Sequence, residues 1–150
     1  MRIKSSRGPA GFTLVEVLIV VVILAILAAT IIPKYANSTD EARASNAQYN
    51  LHVLRSQIEL FKAQHEGGAP TEKDIENQLT KNTDLGGAVA AGGAYGPYVQ
   101  MIPENPFNAD PTIVDAGATI PPTKAAATGG WLYDEGTGQI WINHADHLTD

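Results

Sequence analysis

The chain has 150 residues, a formal net charge of -6 and no cysteine, which suits one small domain and excludes disulfide bonds and thiolate chemistry. Three of the ten basic residues, Arg2, Lys4 and Arg7, precede a long apolar run, so the remainder of the chain is acidic. Such a surface argues against nucleic-acid binding, which needs clustered lysine and arginine side chains.

Residues 12–32 form an almost uninterrupted apolar run of 21 residues. As a helix this run would be about 31 Å long, close to the hydrocarbon thickness of a bilayer. A lone strand would leave its backbone polar groups unpaired in lipid, so the run predicts one membrane-spanning helix. Basic residues before it and acidic residues after it place the preceding segment in the cytoplasm and the rest outside. A secretory signal peptide and a simple single-span anchor are alternative interpretations.

Glu16 is the one charged side chain inside this run. Because an unpaired carboxylate is energetically unfavourable in lipid, the sequence predicts that Glu16 has a partner. The alternative is that its side chain reaches back to the nearby membrane interface and stays hydrated there. Neither a signal peptide nor a simple anchor accounts for this carboxylate.

Residues 11–16 read Gly-Phe-Thr-Leu-Val-Glu, follow a short basic leader and precede an apolar helix that reaches Pro33. This combination resembles the processing site of type IV prepilins and type II secretion pseudopilins. The resemblance implies that a prepilin peptidase cuts between Gly11 and Phe12, and that the new amine of Phe12 is methylated. It also implies that Glu16 faces the Phe12 amine of a neighbouring subunit in a filament. Such a pair would fix the axial register, because a slip leaves both charges unpaired.

Pro33 lacks a backbone donor, so we expect the helix to kink or unwind locally around residues 30–33 without having to end there. Beyond it, apolar residues recur at spacings of three and four and predict the buried face of a helix that ends at Gly67. These residues are Ala44, Ala47, Leu51, Leu54, Ile58 and Phe61. Packing of this face against a coiled-coil partner is the alternative to a core within the same chain.

Shorter elements are expected after this helix. Thr71 as the cap and Asp74 at the reciprocal capping position predict a short helix over residues 72–81. Residues 82–94 are rich in glycine and alanine and predict a loop. The alternation in residues 95–103 predicts a short extended segment.

The last part of the chain combines a connection and a hairpin. Residues 108–128 contain few large apolar side chains and several prolines, so they predict a surface connection. Aromatic and β-branched residues at 131–133 and 139–142 flank a glycine-bearing turn and predict a β-hairpin. This hairpin is similar to that of type II secretion pseudopilin heads.

We therefore expect an α+β fold with a long N-terminal helix packed against a small head that ends in a β-hairpin or small antiparallel sheet. The expected organisation is a cytoplasmic leader at 1–11, a transmembrane and filament-core helix at 12–33, and a periplasmic head at 34–150. The second half of the long helix belongs to the head.

Candidate sites for catalysis and metal binding are few. His144 and His147 have a possible metal-ligand spacing near Asp150, but the sequence places no third ligand, and a solvated tail is the simpler interpretation. Major pseudopilins resemble one another in a calcium loop of spaced acids after the hairpin. Only Asp146 and Asp150 follow the hairpin here, so we expect that loop to be shortened or missing. The chain shows no catalytic motif, and neither a cofactor nor enzyme activity is expected.

The expected function is structural. The resemblance implies a subunit of a type IV pilus-like filament, in the first place a type II secretion pseudopilin that polymerises with itself after leader cleavage. Its expected partners are prepilin peptidase, an inner-membrane assembly platform and the inner membrane. A type IV pilus pilin is one alternative, and a non-polymerising membrane-anchored binding module or enzyme is another.

Overall fold

The computed structural model describes residues 11–150, and within residues 32–37 it describes the backbone alone. Two compact units are present, the first ending at Asp40 and the second comprising Glu41–Asp150. The elements in chain order are α1 (Leu14–Gln64), α2 (Ile75–Thr80), β1 (Ile113–Asp115), β2 (Trp131–Asp134) and β3 (Gln139–Ile142). This arrangement is the α+β fold that the sequence predicts.

Helix α1 contains 51 residues and begins directly after Thr13. Its backbone stays helical across residues 30–33, so the helix does not end at Pro33, and a kink there remains a prediction. The helix ends where Glu66 and Gly67 adopt positive φ angles of 57° and 87°. The Gly67 N–H then donates to the Lys62 carbonyl at 2.8 Å, which satisfies a carbonyl of the last turn.

The first half of α1 has the properties of a membrane span. The segment Leu14–Ile31 has a mean hydropathy of 3.1, and none of it is buried within the chain. Among the described residues it is the one helical segment long and apolar enough to cross a bilayer. Its apolar surface therefore needs lipid or another protein chain as its environment.

The main core lies between α1, α2 and one face of the sheet. The predicted apolar face of α1 is buried here from Ala47 onward, whereas Ala44 is half-buried, and this burial confirms that the face packs within its own chain. The buried residues of this core are Ala47, Leu51, Leu54, Ile58, Ile75, Leu79, Trp131, Tyr133, Ile140 and Ile142. Phe61 is buried as well, with 1% of its surface exposed.

The predicted β-hairpin is confirmed. Strands β2 and β3 are antiparallel, with Trp131 opposite Ile142 and Asp134 opposite Gln139. Because side chains alternate along a strand, Leu132 and Trp141 point to the opposite face and form a second core cluster with Leu148. The sheet is thus buried on both faces.

The interpretation of residues 108–128 as a surface connection was wrong in part. Residues Ile113–Asp115 form strand β1, which pairs in parallel with β2 and makes the sheet mixed rather than antiparallel. Val114, Ala116, Ile120, Ala125 and Ala126 cover the second core cluster. The segment therefore closes one face of the sheet with small side chains, which weakens its apolar signal in the sequence.

Helix α2 is present but shorter than predicted, and its predicted cap was wrong. The residue that precedes it, Asp74, makes no capping hydrogen bond with its side chain. Thr71 instead donates its backbone N–H to Gln78 Oε1 at 2.8 Å. Residues 82–94 form the predicted loop, and residues 95–103 contain no strand, although Tyr95 makes an isolated bridge with Thr83.

Candidate processing and assembly site

The bond between Gly11 and Phe12 lies in a non-helical, exposed stretch just before α1. The Phe12 side chain is 86% exposed, and no atom lies within 4 Å of the position that a Cβ on Gly11 would take. The described residues therefore do not shield this bond.

Thr13 and Glu16 form a reciprocal capping box at the start of α1. Glu16 Oε2 accepts hydrogen bonds from the Thr13 N–H at 2.8 Å and from the Thr13 hydroxyl at 2.7 Å. In return, the Glu16 N–H donates to Thr13 Oγ1 at 3.3 Å. These bonds satisfy backbone donors that a helix N-terminus otherwise leaves unpaired.

The capping box supplies Glu16 with a partner inside its own chain. The sequence interpretation overlooked Thr13, although the signal was present as a Thr-x-x-Glu spacing directly before an apolar run. Both hydrogen bonds to the carboxylate use Oε2. In this geometry Oε1 can accept a further donor, such as an amine from another chain, without the loss of the cap.

In the head, Arg55 of α1 connects the helix to the sheet and to the last residues of the chain. Its Nε and Nη2 atoms donate to the Ile140 carbonyl at 3.2 and 3.0 Å. Nη2 also donates to the backbone oxygen of Asp150. Burial lowers the pKa of the Arg55 guanidinium from its ordinary value, and the nearby Asp150 opposes this shift.

The candidate metal pair His144 and His147 belongs to the same tail. The Phe107 ring stacks on both imidazoles, with ring centroids 4.1 Å from His144 and 4.9 Å from His147. His147 Nδ1 lies 2.6 Å from Asp150 Oδ2. These contacts hold the tail to the head, whereas the sequence suggested a solvated tail. Within the described residues no group of three or more His, Cys, Asp or Glu side chains could hold a metal ion.

His65 is buried and contacts both α1 and the loop at 82–94. Its ring stacks on Phe61 with a centroid distance of 3.9 Å, and its Nδ1 lies 2.7 Å from the Phe61 carbonyl. Nε2 lies 3.0 Å from the Thr83 hydroxyl. The two ring nitrogens thus join the end of α1 to the loop at 82–94.

The N-terminal site is similar to a known sequence motif. The family model described as the prokaryotic N-terminal methylation motif matches residues 6–32, which include the Gly11–Phe12 bond, the capping box and the whole apolar segment Leu14–Ile31. Proteins named type II secretion system core protein G match a much longer part of the chain. The one from Klebsiella michiganensis is 28% identical over 120 residues, covering 78% of this chain and 79% of the relative.

Two further relatives have the same name, type II secretion system core protein G. The Vibrio cholerae protein is 29% identical and covers 71% of each chain, and the Pseudomonas aeruginosa protein is 31% identical over 51% of this chain and 54% of its own. This chain is thus similar to proteins named type II secretion system core protein G over most of its length, and its N-terminal part matches the methylation motif. No solved structure matches this chain significantly. The methylation motif and the head thus point to the same family.

Proposed function

We propose that this chain is a structural subunit of a type IV pilus-like filament, and specifically a type II secretion pseudopilin that polymerises after leader cleavage. The observation that carries the proposal is the methylation motif, with its exposed Gly11–Phe12 bond, directly before an apolar helix that the chain itself leaves unburied. The similarity to core protein G over most of the chain supports the secretion system rather than a pilus.

Before assembly, Leu14–Ile31 spans the inner membrane. The basic residues of the leader, residues 1–11, keep that end in the cytoplasm, and the acidic head occupies the periplasm. Prepilin peptidase cleaves at Gly11 on the cytoplasmic side and leaves Phe12 as a methylated N-terminus. An assembly platform in the inner membrane then transfers the subunit into the filament. The protein acts by assembly and not by catalysis.

Assembly gives the apolar helix a non-aqueous environment after it leaves the lipid. Copies of Leu14–Ile31 pack against one another in the filament core, so that apolar surface stays away from water. The Phe12 amine of one copy pairs with Glu16 of the next and fixes the axial register, because an unpaired charge in this environment is strongly unfavourable. Pro33 lets the segment Leu14–Ile31 bend into the filament core while the head keeps its orientation.

Mass spectrometry of the protein extracted from membranes tests the processing step. We expect an N-terminus at methylated Phe12, and an N-terminus at Met1 or near Thr30 would contradict the proposal. Gly11→Val should block cleavage and leave membrane insertion intact. The reason is that a β-branched side chain would hinder binding of the extended backbone in a peptidase cleft. Gly8→Val, also in the leader, is the matched control and should be cleaved normally.

Electron microscopy of cells that overproduce the chain tests polymerisation. We expect filaments that contain the processed protein. Cleaved protein that remains dispersed in the membrane, in a strain with a working assembly platform, would show that the chain is a processed anchor rather than a filament subunit. A filament map would also show whether the helix bends at Pro33, and Pro33→Ala should straighten it.

A further inference from the structure

The head contains an open groove between the second half of α1, helix α2 and the segment 100–104, all within the second unit. Its volume is about 730 Å³, which lies within the range of about 300–1,000 Å³ that is typical of ligand sites. Polar side chains from all three elements line it, namely Asn46, Asn50, Glu76, Asn77, Gln100 and Glu104. We refer to this cavity as the amide groove.

The amide side chains of the groove keep free donors and acceptors. Asn50 donates from Nδ2 to the Glu104 carbonyl at 3.2 Å, which leaves Asn50 Oδ1 as an acceptor. Asn77 Oδ1 accepts a hydrogen bond from Lys81 Nζ at 2.8 Å, which leaves Asn77 Nδ2 as a donor. An extended polypeptide backbone presents both C=O acceptors and N–H donors whatever its side chains are. The groove therefore offers groups that complement a peptide backbone of any sequence.

Two carboxylates give the amide groove a negative charge. Glu76 Oε1 accepts the Ile113 N–H at 2.9 Å, and neither Glu76 nor Glu104 forms an ion pair with another described residue. None of the described residues that line the groove is basic, and Lys81 lines a separate cavity. A positively charged group in the groove is therefore attracted by both carboxylates.

An exposed apolar side chain belongs to the same groove. Met101 is 74% exposed and lines the groove beside Ile102 and Pro103. The methionine side chain is unbranched and flexible, so it adapts to neighbours of different shape. The groove thus combines apolar contact surface with a few polar groups, as ligand sites do.

We propose that the amide groove binds an extended segment of another protein that carries a lysine or arginine side chain. The amides pair with the backbone of the segment, and Glu76 and Glu104 attract its cationic side chain. A second copy of this chain matches the groove poorly in charge, because residues 41–150 contain fourteen acidic and only six basic side chains. The inference concerns the head alone and does not depend on filament formation.

Methyl NMR of the full chain in detergent measures binding at the groove itself. With isotope-labelled methionine methyl groups, only Met1 and Met101 give signals, since the chain contains two methionines. The probe is a nonapeptide of alternating threonine and alanine with blocked ends and arginine at its centre. We expect its titration to shift the Met101 signal with a Kd below about 1 mM. An unchanged Met101 signal would overturn the proposal.

The same peptide with glutamine at its centre tests the preference for a cation. It should bind the wild-type chain roughly fivefold or more weakly than the arginine peptide, because it lacks the attraction to two partly exposed carboxylates. Equal affinities of the two peptides would show that the groove does not select a basic side chain, and would overturn this part of the proposal.

Removal of the two groove charges assigns the preference to them. The double variant Glu76→Gln and Glu104→Gln keeps side-chain oxygens as acceptors and should bind both peptides equally. Glu66→Gln combined with Glu72→Gln is the matched control, since it removes two charges outside the groove and should retain the preference for arginine. Circular dichroism should show that both double variants are folded. A preference for arginine that survives in the groove variant would contradict the proposed role of the carboxylates.

A second copy of the chain is the competing occupant. If the Met101 signal shifts as the chain alone is concentrated and the arginine peptide does not reverse this shift, the groove holds a second copy and the proposal is wrong. These measurements use dispersed chains, so a negative result leaves the proposed filament unaffected. Absence of filaments, in turn, would overturn the proposed function without changing the Met101 result.

Discussion

Arg55 donates two hydrogen bonds to the backbone carbonyl of Ile140, at 3.2 Å from Nε and 3.0 Å from Nη2. This contact joins the middle of α1 to strand β3 across 85 residues of sequence. A third hydrogen bond from Nη2 reaches the backbone of Asp150. One side chain therefore fixes the helix, the sheet and the tail relative to one another within the second unit.

Replacement of Arg55 by methionine should lower the free energy of unfolding of the head by about 2–3 kcal/mol, since hydrogen bonds from charged donors are strong and the Ile140 carbonyl loses two of them. Arg55→Lys should lie between Met and the wild type, because lysine keeps the charge but not the planar donor geometry. Urea unfolding of the full chain in detergent, followed by tryptophan fluorescence, measures both. Equal stability of Arg55→Met and the wild type would show that these hydrogen bonds contribute little.

Gly130 stands where two backbone segments meet, and we predict that it tolerates no side chain. A Cβ built at Gly130 would lie 1.8 Å from the Asp110 carbonyl oxygen and 3.1 Å from Asn105 Cβ. Asn105 is fully buried and donates to the Gly130 carbonyl at 2.7 Å, so the neighbouring chain has little room to move.

Gly130→Ala should therefore be among the severe destabilising changes, at more than about 4 kcal/mol or with loss of soluble folding of the head. Gly86→Ala is the control, because its Cβ would meet no atom closer than 3.5 Å, and its yield and unfolding midpoint should match the wild type. A folded Gly130→Ala head with a normal midpoint would contradict the packing described for this region.

The elements that the sequence predicted correctly are those with a strong periodic or local signal. The apolar face of α1 repeats every three to four residues, and its members from Ala47 to Phe61 are buried as expected. The β-hairpin combines β-branched and aromatic residues with a glycine-bearing turn, and both strands form. Such signals depend on neighbours along the chain, so a single sequence contains them.

The elements that were missed depend on contacts between distant residues. Strand β1 has only three residues and exists because β2 offers a parallel edge to Ile113–Asp115. The capping pattern predicts a cap at Thr71, but the fold uses Thr71 to contact Gln78, and a capping box forms instead at Thr13. A local pattern therefore indicates what a segment can do, and tertiary contacts decide between the options.

Tyr133 gives the head a predicted sensitivity to alkaline pH. Its hydroxyl is buried and donates to the Pro70 carbonyl at 2.7 Å. Burial raises the pKa of Tyr133 above its ordinary value of 10.0, and the nearby carboxylates of Glu135 and Asp134 add to this shift. Because the neutral phenol is favoured in the folded state, its contribution is fully present below pH 10 and is lost as the pH rises above that value.

Tyr133→Phe should therefore have two effects. At pH 7 the free energy of unfolding should fall by about 1–2 kcal/mol, because the Pro70 carbonyl loses its donor. Above about pH 10 the stability of the variant should decline less steeply than that of the wild type. Tyr49→Phe, which alters an exposed tyrosine, should leave stability at pH 7 unchanged. Identical pH profiles for Tyr133→Phe and the wild type would rule out this role for the phenol.

The last prediction separates the two partners of Glu16, the Thr13 cap in its own chain and the Phe12 amine proposed for a neighbour. Glutamine can replace glutamate in a capping box, because its side-chain oxygen accepts the same hydrogen bond. Glu16→Gln therefore keeps the cap and removes the charge, whereas Glu16→Leu removes both. Thr13→Val removes the hydroxyl donor of the cap and leaves the carboxylate in place.

If charge pairing between subunits drives assembly, Glu16→Gln should be inserted and cleaved normally, since a neutral side chain is less unfavourable in lipid, yet its filament yield should fall as far as that of Glu16→Leu. Thr13→Val should then keep most of the yield, because loss of a cap typically costs only about 0.5–2 kcal/mol. If the cap alone matters, the order of the filament yields is different. Glu16→Gln then assembles, whereas Thr13→Val and Glu16→Leu both fail to assemble. Val20→Leu, a change of volume without a change of charge, should assemble in either case. Filament yield in sheared fractions, with the N-terminus of each variant verified by mass spectrometry, distinguishes the two roles, and normal assembly of Glu16→Leu would exclude both.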